Sequence, residues 1–395
     1  MQLDRETRVG VIGAGAMGTG IAQVAAAAGH EVVLGDAAEG AAQRAQASVA
    51  KAMEREVQKG RMSRDAADEL MSRIKFQWQP LRELGAYRQC GLVIEAVIED
   101  LTVKRSLFRA LEQAVGREPI LATNTSSLSI ASIASACEAP YRVLGLHFFN
   151  PAPAMPLVEI VPWLGGDPVA ASASFALMSR WNKTPVLATD TPGFIVNRIA
   201  RPFYGEALRL LDEGVADCAT IDWAMKELGG FRMGPFELMD FIGNDVNFAV
   251  TSSVYEGMFF DPRYKPSLTQ QRMVDAGFLG RKSGRGYYDY RSDAVSPAPN
   301  KDANTGLLIF ERVLALLINE AVDAVLMRVA SPEAIDLAMT KGVNYPKGLL
   351  AWANDLGLER VLGWLDRLQA EYGEDRYRAS PLLRRMVREE RRFFQ

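Results

Sequence analysis

In the first 160 residues of the chain, short apolar segments typical of strands alternate with longer segments that have a helical pattern. A short apolar strand at Val9, Val11 and Ile12 precedes an alanine-rich helix that ends near Gly29, and the apolar run "EVVLGD" follows. After two helical stretches, the segments "GLVIEAV", "LTVKRSLFRALEQAV" and "PILATNTSS" are typical of a buried strand, an amphipathic helix and another strand. Strands that alternate with helices predict a mostly parallel sheet.

The turn after the first strand carries a phosphate-binding pattern. Gly13, Gly15 and Gly18 form G-x-G-x-x-G: the first permits a tight turn, the second lets a pyrophosphate approach, and the third lets helix and strand pack closely. "EVVLGD" ends in Asp36, eighteen residues after Gly18, where a carboxylate can accept hydrogen bonds from a ribose diol. The pattern predicts a doubly wound Rossmann domain that prefers NAD to NADP. The alternative is that Asp36 only ends a strand.

Polar side chains follow the predicted strands at their carboxyl ends, where such sheets bind ligands. These residues are Glu95, Glu99, Asn124, Ser126, His147 and Asn150. Each alone could be a helix cap, and Ser127 is interpreted as one. The strands "VLGLHF" and "PLVEIV" could be joined by a turn that lays Glu159 beside His147. The other histidine, His30, is interpreted as a surface turn residue.

The pattern becomes helical after about Thr189, and the helical part repeats. An ungapped offset of 114 residues pairs Arg198 with Arg312, Glu206 with Glu320, and Gly234 with Gly348. We therefore expect three domains: an NAD-binding domain at 1–189 and two all-α copies at 190–292 and 303–395. In the second copy Glu311 stands where the first has Asn197, so we expect its role to be structural.

Composition excludes several function classes. The chain has 395 residues, 48% hydrophobic and 24% charged, with a formal net charge of −3, which gives no general attraction to nucleic acid. Its three cysteines suggest neither a disulfide framework nor a metal site, and no metal is predicted. The sequence shows no signal peptide and no membrane-spanning run of apolar residues, so we expect a cytoplasmic protein without a membrane partner.

Six motifs together resemble the (S)-3-hydroxyacyl-CoA dehydrogenases of fatty acid and aromatic-acid degradation, in particular the 3-hydroxybutyryl-CoA type. They are "GAGAMGTGIAQVAAAAGHEVVLGD", "EAVIEDLTVK", "NTSSLSI", "GLHFFNPAPAMPLVEIV", "DTPGFIVNRI" and "GRKSGRGYYDY". The resemblance implies an NAD-dependent enzyme that interconverts a 3-hydroxyacyl-CoA thioester and its 3-oxo form by a step of the β-oxidation type.

The resemblance also implies the site. His147 would be the general base, oriented by Glu159, and Ser126 and Asn197 would hydrogen-bond the reacting oxygen. Residues implied to contact the cofactor are Gly13, Gly15, Ala16, Met17, Gly18, Asp36, Glu99, Lys104, Asn124 and Asn150, with Asn150 also placing the substrate.

Coenzyme A is implied to bind near a basic stripe on the helix after Asp36. Arg44, Lys51, Arg55 and Lys59 recur at spacings of seven, four and four, with Lys59 at the position that matches the family. Some relatives have a polar residue near the coenzyme where this chain has Ala52. The alternative is that the basic stripe is only a solvent-exposed face of the helix. Shorter relatives dimerise through one helical domain, so we expect either a homodimer or a monomer in which the second copy imitates that contact.

Two other functions remain open from the sequence. The His147 and Glu159 pair does not itself require a thioester, so a dehydrogenase of a free hydroxy acid or sugar acid is one alternative. A non-enzymatic nucleotide-binding or structural protein is the other.

Overall fold

The protein is described by a computed structural model of residues 3–78 and 83–394. The chain separates into two compact units, Met1–Thr191 and Pro192–Gln395. The first boundary lies two residues from the expected one at residue 189. The second unit holds both helical copies, and their division into separate domains at 190–292 and 303–395 stays a prediction.

The first unit is built on one sheet of eight strands in the order β3-β2-β1-β4-β5-β6-β7-β8. The strands are β1 Arg8–Ile12, β2 Val32–Asp36, β3 Ile74–Trp78, β4 Cys90–Glu95, β5 Ile120–Thr123, β6 Val143–Phe148, β7 Leu157–Pro162 and β8 Thr184–Leu187. All neighbours are parallel except β6 and β7. The chain order reverses between β1 and β4, so their carboxyl ends form the crevice in which doubly wound sheets bind ligands.

Helices cover this sheet. They are α1 Ala16–Ala27, α2 Ala41–Gln58, α3 Arg64–Arg73, α4 Leu101–Val115, α5 Ile130–Ala134 and α6 Pro168–Arg180. Asp100 caps α4 by accepting from the amide of Val103, and Asp167 caps α6 in the same way from Val169. Most residues of the hydrophobic core, which runs from Leu3 to Trp181, belong to the sheet and to the helix faces against it. The predicted α/β fold class is confirmed.

Two details of the sequence interpretation are wrong in this unit. His30 is buried: its Nδ1 lies 2.9 Å from the carbonyl oxygen of Thr7, and its ring packs on Trp181. Burial also lowers the pKa of the imidazole. Ser127 does not cap a helix, because α5 begins after Ser129, whose hydroxyl accepts from the amide of Ser132.

The second unit is helical. Its helices are α7 Val196–Ile199, α8 Arg201–Asp212, α9 Cys218–Glu227, α10 Pro235–Ile242, α11 Asn244–Gly257, α12 Leu268–Asp275, α13 Ala303–Leu326, α14 Pro332–Gly342, α15 Leu349–Leu356, α16 Leu358–Tyr372 and α17 Pro381–Arg388. Short 3₁₀ turns lie at Pro262–Tyr264 and Asp375–Tyr377. The long helix α13 packs against α8 and α9. In the part of the chain that the structure describes, no helix has the length and apolar character needed to cross a bilayer.

The repeat in the sequence is also a repeat of structural detail. Asp222 accepts hydrogen bonds from the amides of Phe236 and Glu237 at the start of α10. Asp336, at the same position of the second copy, accepts from Leu350 and Ala351 at the start of α15. The two aspartates and both pairs of amides are related by the offset of 114 residues. The two copies therefore share an aspartate that binds the N-terminus of a neighbouring helix.

Reciprocal ion pairs join the two copies. Arg198 Nε donates to Glu320 Oε1 over 2.6 Å, and Arg312 donates to Glu206 in the same manner. All four side chains are buried. Because Arg198 corresponds to Arg312 and Glu206 to Glu320, the two bonds are related as in an interface with twofold symmetry. The contact is therefore isologous although it lies within one chain.

The charges around these pairs are arranged less symmetrically. Arg209 of α8 binds Glu374 through two hydrogen bonds of 2.6 and 2.7 Å. At the matching position of α13 stands Asp323, which accepts from Arg263 over 2.8 Å. Both partners, Glu374 and Arg263, belong to the short segments around the 3₁₀ turns. The two contacts resemble each other with opposite charges, although Glu374 and Arg263 are not matching positions of the repeat: under the offset of 114 residues Arg263 corresponds to Tyr377.

Candidate active site

The glycine-rich turn lies between β1 and α1 at the crevice of the sheet. Gly13 has φ +102°, and a Cβ there would lie 2.4 Å from the carbonyl oxygen of Ala96. A Cβ on Gly18 would lie 1.8 Å from the oxygen of Gly13, whereas one on Gly15 would meet nothing within 4 Å. The first and third glycines are therefore required by close packing, and the second leaves the start of α1 open toward an anion.

Asp36 stands at the end of β2 beside this turn. Its Oδ2 accepts from the amide of Ala14 over 2.6 Å, and its Oδ1 accepts from the amide of Ala38 over 2.8 Å. Each carboxylate oxygen has a second lone pair, so the fixed carboxylate can still accept hydrogen bonds from a diol. Ala16 and Met17, also predicted to contact the cofactor, form the first turn of α1.

His147 and Glu159 are brought together by strand register. They face each other directly in the antiparallel pair of β6 and β7, and the imidazole Nδ1 lies 2.6 Å from Glu159 Oε2. The histidine is 6% exposed and the glutamate fully buried. The ring of Phe149 packs against the imidazole with its centroid 4.5 Å away. The predicted juxtaposition is therefore present, and Glu159 is removed from solvent.

Glu99 organises the loop that follows β5. Its Oε1 accepts from the Thr125 hydroxyl over 2.6 Å, from the Ser126 amide over 3.0 Å, and from the hydroxyl of Ser127 over 2.8 Å. Burial by itself would raise the pKa of Glu99, but the nearby Lys104 ammonium and these hydrogen bonds hold it below its ordinary value. Ser126 is thus anchored through its amide, and its hydroxyl does not take part in this bond.

Lys104 is buried beneath that loop. Its side chain is 1% exposed; Nζ donates to Glu95 Oε1 over 2.5 Å and lies 3.3 Å from Glu99 Oε2. The second oxygen of Glu95 accepts from the Thr123 hydroxyl over 2.7 Å. Lys104 therefore bridges two carboxylates, and Glu95, which the sequence marked only as polar, ties the ends of β4 and β5 together.

The two predicted asparagines of the first unit differ in their surroundings. Asn124 Oδ1 accepts from the amide of Phe148 over 2.8 Å, which links the ends of β5 and β6. Asn150 is exposed, two residues beyond β6. Both lie at the carboxyl edge that also carries His147 and the Glu99 loop.

The other predicted residues lie elsewhere. Asn197 belongs to α7 of the second unit, and its carbonyl oxygen accepts from Arg201 Nε over 2.7 Å. Lys59 follows α2, is exposed, and lies 3.7 Å from Glu56. Arg44, Lys51 and Arg55 are also exposed on that helix, which agrees with a stripe that faces solvent.

Fold and geometry together define a class of protein. A glycine turn with an acidic residue after β2 suits a dinucleotide, and an imidazole with a buried carboxylate at the same edge of the sheet suits proton transfer to and from an alcohol. These are the parts of a dinucleotide-dependent oxidoreductase.

Comparisons with known proteins agree with that class. The model of the 3-hydroxyacyl-CoA dehydrogenase NAD binding domain matches residues 8–191. That of the 3-hydroxyacyl-CoA dehydrogenase C-terminal domain matches twice, at 193–290 and 308–392. A 3-hydroxyadipyl-CoA dehydrogenase of Escherichia coli K12 is 39% identical over 95% of this chain and 96% of its own. A 3-hydroxybutyryl-CoA dehydrogenase of Bradyrhizobium diazoefficiens is 40% identical over 74% of this chain and 98% of its own.

Among solved structures, a 3-hydroxybutyryl-CoA dehydrogenase from Escherichia coli K12 superposes with a TM-score of 0.92 at 36% identity, covering 98% of this chain and 99% of that one. The chain belongs to the 3-hydroxyacyl-CoA dehydrogenase family and is an NAD-dependent oxidoreductase of that class. The predicted family, activity and cofactor are confirmed. The comparisons do not support the two alternatives, a dehydrogenase of free acids and a non-enzymatic protein.

Proposed function

We propose that His147 is the general base that takes the proton from the C3 hydroxyl of an (S)-3-hydroxyacyl-CoA thioester. The observation that carries this assignment is the 2.6 Å contact of its Nδ1 with the buried Glu159. Since Glu159 accepts the Nδ1 proton, the nitrogen of the neutral ring that accepts a further proton is Nε2. The carboxylate therefore sets the tautomer and stabilises the imidazolium that forms.

Bound NAD supplies the acceptor for the hydride that leaves C3. The chain's own part is to hold the alcohol and remove its proton at the same time. In the reverse direction the imidazolium returns the proton to the oxygen of the 3-oxo group, so one pair of side chains serves both directions.

Ser126 and Asn197 are proposed to hydrogen-bond the C3 oxygen. Glu99 fixes the backbone at Ser126 over 3.0 Å, which supports a hydroxyl presented from a rigid loop. Asn197 is carried over from the family motif and lies in α7. The second copy has Glu311 at this position, which supports a structural role for that copy.

For the cofactor, we propose that the turn from Gly13 to Gly18, with Ala16 and Met17, holds the pyrophosphate, and that Asp36 binds the adenosine ribose. Glu99 is proposed to contact the nicotinamide ribose. Lys104 is buried, so it is proposed to act by holding Glu99 in place over 3.3 Å. Asn124 and Asn150 are proposed as further contacts of the cofactor, and Asn150 also to place the substrate.

The thioester is proposed to place its coenzyme A near Lys59 and the basic stripe of α2. The acyl group is the finer question, because the relatives carry names for a 3-hydroxyadipyl and a 3-hydroxybutyryl substrate. We also propose a cytoplasmic enzyme in which the second helical copy takes the place of a partner subunit, either as a monomer or as a homodimer.

His147→Gln tests the assignment directly. Turnover of acetoacetyl-CoA, followed by loss of NADH absorbance, should fall by about two to four orders of magnitude, the usual contribution of a positioned base. The affinity for NADH should stay unchanged. Near-full activity would reject His147 as the base. Parallel rates with a free 3-oxo acid, a butyryl-type thioester and an adipyl-type thioester would define the substrate.

A further inference from the structure

A large aromatic side chain lies exposed beside the proposed ribose ligand. Trp78 is the last residue of β3 and is 57% exposed. In the parallel pair of β2 and β3 it is the direct partner of Asp36. An indole at such a position loses favourable burial unless something covers it.

The indole is held in place. Its Nε1 donates to the carbonyl oxygen of Ala37 over 3.0 Å, and Ala37 directly follows Asp36. Asp36 is itself fixed by the amides of Ala14 and Ala38. The ring edge, the carboxylate and the glycine turn therefore form one connected set of contacts along the ends of β1, β2 and β3.

The order of these strands gives the direction of a bound nucleotide. The glycine turn follows β1, and the proposed ribose ligand ends β2. Neighbouring strands lie about 4.8 Å apart, a distance comparable with the width of one sugar ring. A nucleotide with its phosphate over β1 and its ribose over β2 therefore carries its base onward to the end of β3, where Trp78 lies.

We infer that Trp78 is the stacking surface for the adenine base of the cofactor. The inference rests on the proposed role of Asp36. It assigns to an aromatic ring a share of the affinity for the adenosine half, and none of the chemistry at the nicotinamide.

The test is the binding of ADP-ribose, which contains the adenosine and pyrophosphate but no nicotinamide, measured by calorimetry and by quenching of tryptophan emission. Trp78→Ala should raise the dissociation constant about tenfold, the usual range for loss of a base–aromatic stack. Trp78→Phe should raise it by less than about threefold, since phenylalanine keeps a π-face. Quenching should be largely lost in both variants.

Trp163→Phe is the matched control. Trp163 is half-buried and thus less exposed than Trp78, and its Nε1 likewise donates to a backbone carbonyl, that of Pro140, over 3.2 Å. It follows β7, which runs antiparallel to β6, so it lies at the opposite edge of the sheet. ADP-ribose affinity and quenching should be unchanged in this variant.

The outcomes separate this inference from the assignment on which it rests. A dissociation constant within twofold of the parent in Trp78→Ala overturns the stacking role. Equal weakening in Trp78→Ala and Trp78→Phe overturns it too, because that would implicate only the bond to Ala37. If Asp36→Ala leaves ADP-ribose affinity unchanged, the ribose assignment itself fails; if it weakens binding while Trp78→Ala does not, only the stacking inference fails.

Discussion

Replacement of Glu159 by glutamine is the sharpest test of the catalytic pair. The substitution keeps the size of the side chain and a carbonyl oxygen that can accept from the imidazole Nδ1, which lies 2.6 Å from the present carboxylate. It removes the negative charge and replaces the other carboxylate oxygen by an NH2 group. Because the pair lies in register on two neighbouring strands of one sheet, the change should not displace His147.

Coulomb's law gives the order of magnitude of the effect. When His147 takes up a proton, the imidazolium and the carboxylate are unit charges about 4 Å apart, which at an effective dielectric constant of about 20 interact by about 4 kcal/mol. That stabilisation exists in the transition state but not while the ring is neutral, and it corresponds to about a thousandfold in rate. Since glutamine retains a hydrogen bond, turnover should fall by about two to three orders of magnitude.

The assay is the steady-state oxidation of NADH by acetoacetyl-CoA at saturating concentrations, with NADH affinity and the melting temperature measured beside it. Glu112→Gln is the control, because Glu112 is a buried carboxylate of the same unit that accepts from the amides of Glu138 and Ala139. This control should lower stability without lowering turnover per folded molecule. If Glu159→Gln keeps more than a tenth of the activity, or if the control loses as much, the electrostatic reasoning is refuted.

Four further predictions concern the cofactor and the helical unit. Asp36→Ala should weaken NAD binding and reduce the difference between the affinities for NAD and NADP; unchanged NAD affinity would reject Asp36 as the ribose ligand. Glu320→Gln should destabilise the protein by about 3 kcal/mol, because it removes the negative charge that Arg198 Nε binds in a buried place. Glu206→Gln should destabilise it less, because Arg312 keeps two hydrogen bonds to Glu213; a urea midpoint shift in only one of the two variants would contradict the reciprocal arrangement. Burial raises the pKa of Asp222 from 3.8 to about 7, so the folded state holds its proton more tightly and this residue's contribution to stability falls as pH rises across that range. Asp222→Asn should therefore reduce the pH dependence of the melting temperature in this pH range, and an unchanged profile would contradict the raised pKa of Asp222. A chain shortened to end at Tyr290 should associate or precipitate in light scattering, since α13 no longer covers the first copy; a soluble, monomeric and fully active product would refute this.

The sequence predicted the site residues that stand at strand ends. Periodicity places β1, β4, β5 and β6, and parallel strands align their carboxyl ends, so polar residues after each run converge. His147 and Glu159 could be paired because a short turn between two apolar strands fixes their register.

Other features depend on tertiary contacts that a single chain pattern does not contain. The strand β3 lies at the edge of the sheet and only Ile74 is buried, so its apolar and polar residues alternate over five positions without the continuous apolar run of the central strands. A lysine in an amphipathic helix is normally solvated. Lys104 is instead buried, because the carboxylates of Glu95 and Glu99 neutralise its charge. His30 is buried for a similar reason, since Thr7 and Trp181 cover a turn that looks polar in sequence.

The reciprocal contact between the helical copies carries an evolutionary freedom. In a symmetric dimer one codon determines a residue on both sides of the interface, so a position cannot be positive in one subunit and negative in the other. Here the shared position is Arg209 in one copy and Asp323 in the other, and each binds an oppositely charged side chain of the other copy, Glu374 or Arg263. Such complementary charges also disfavour pairing of the first copy with another first copy. The first copy can thus pair with a second copy in preference to the first copy of another molecule.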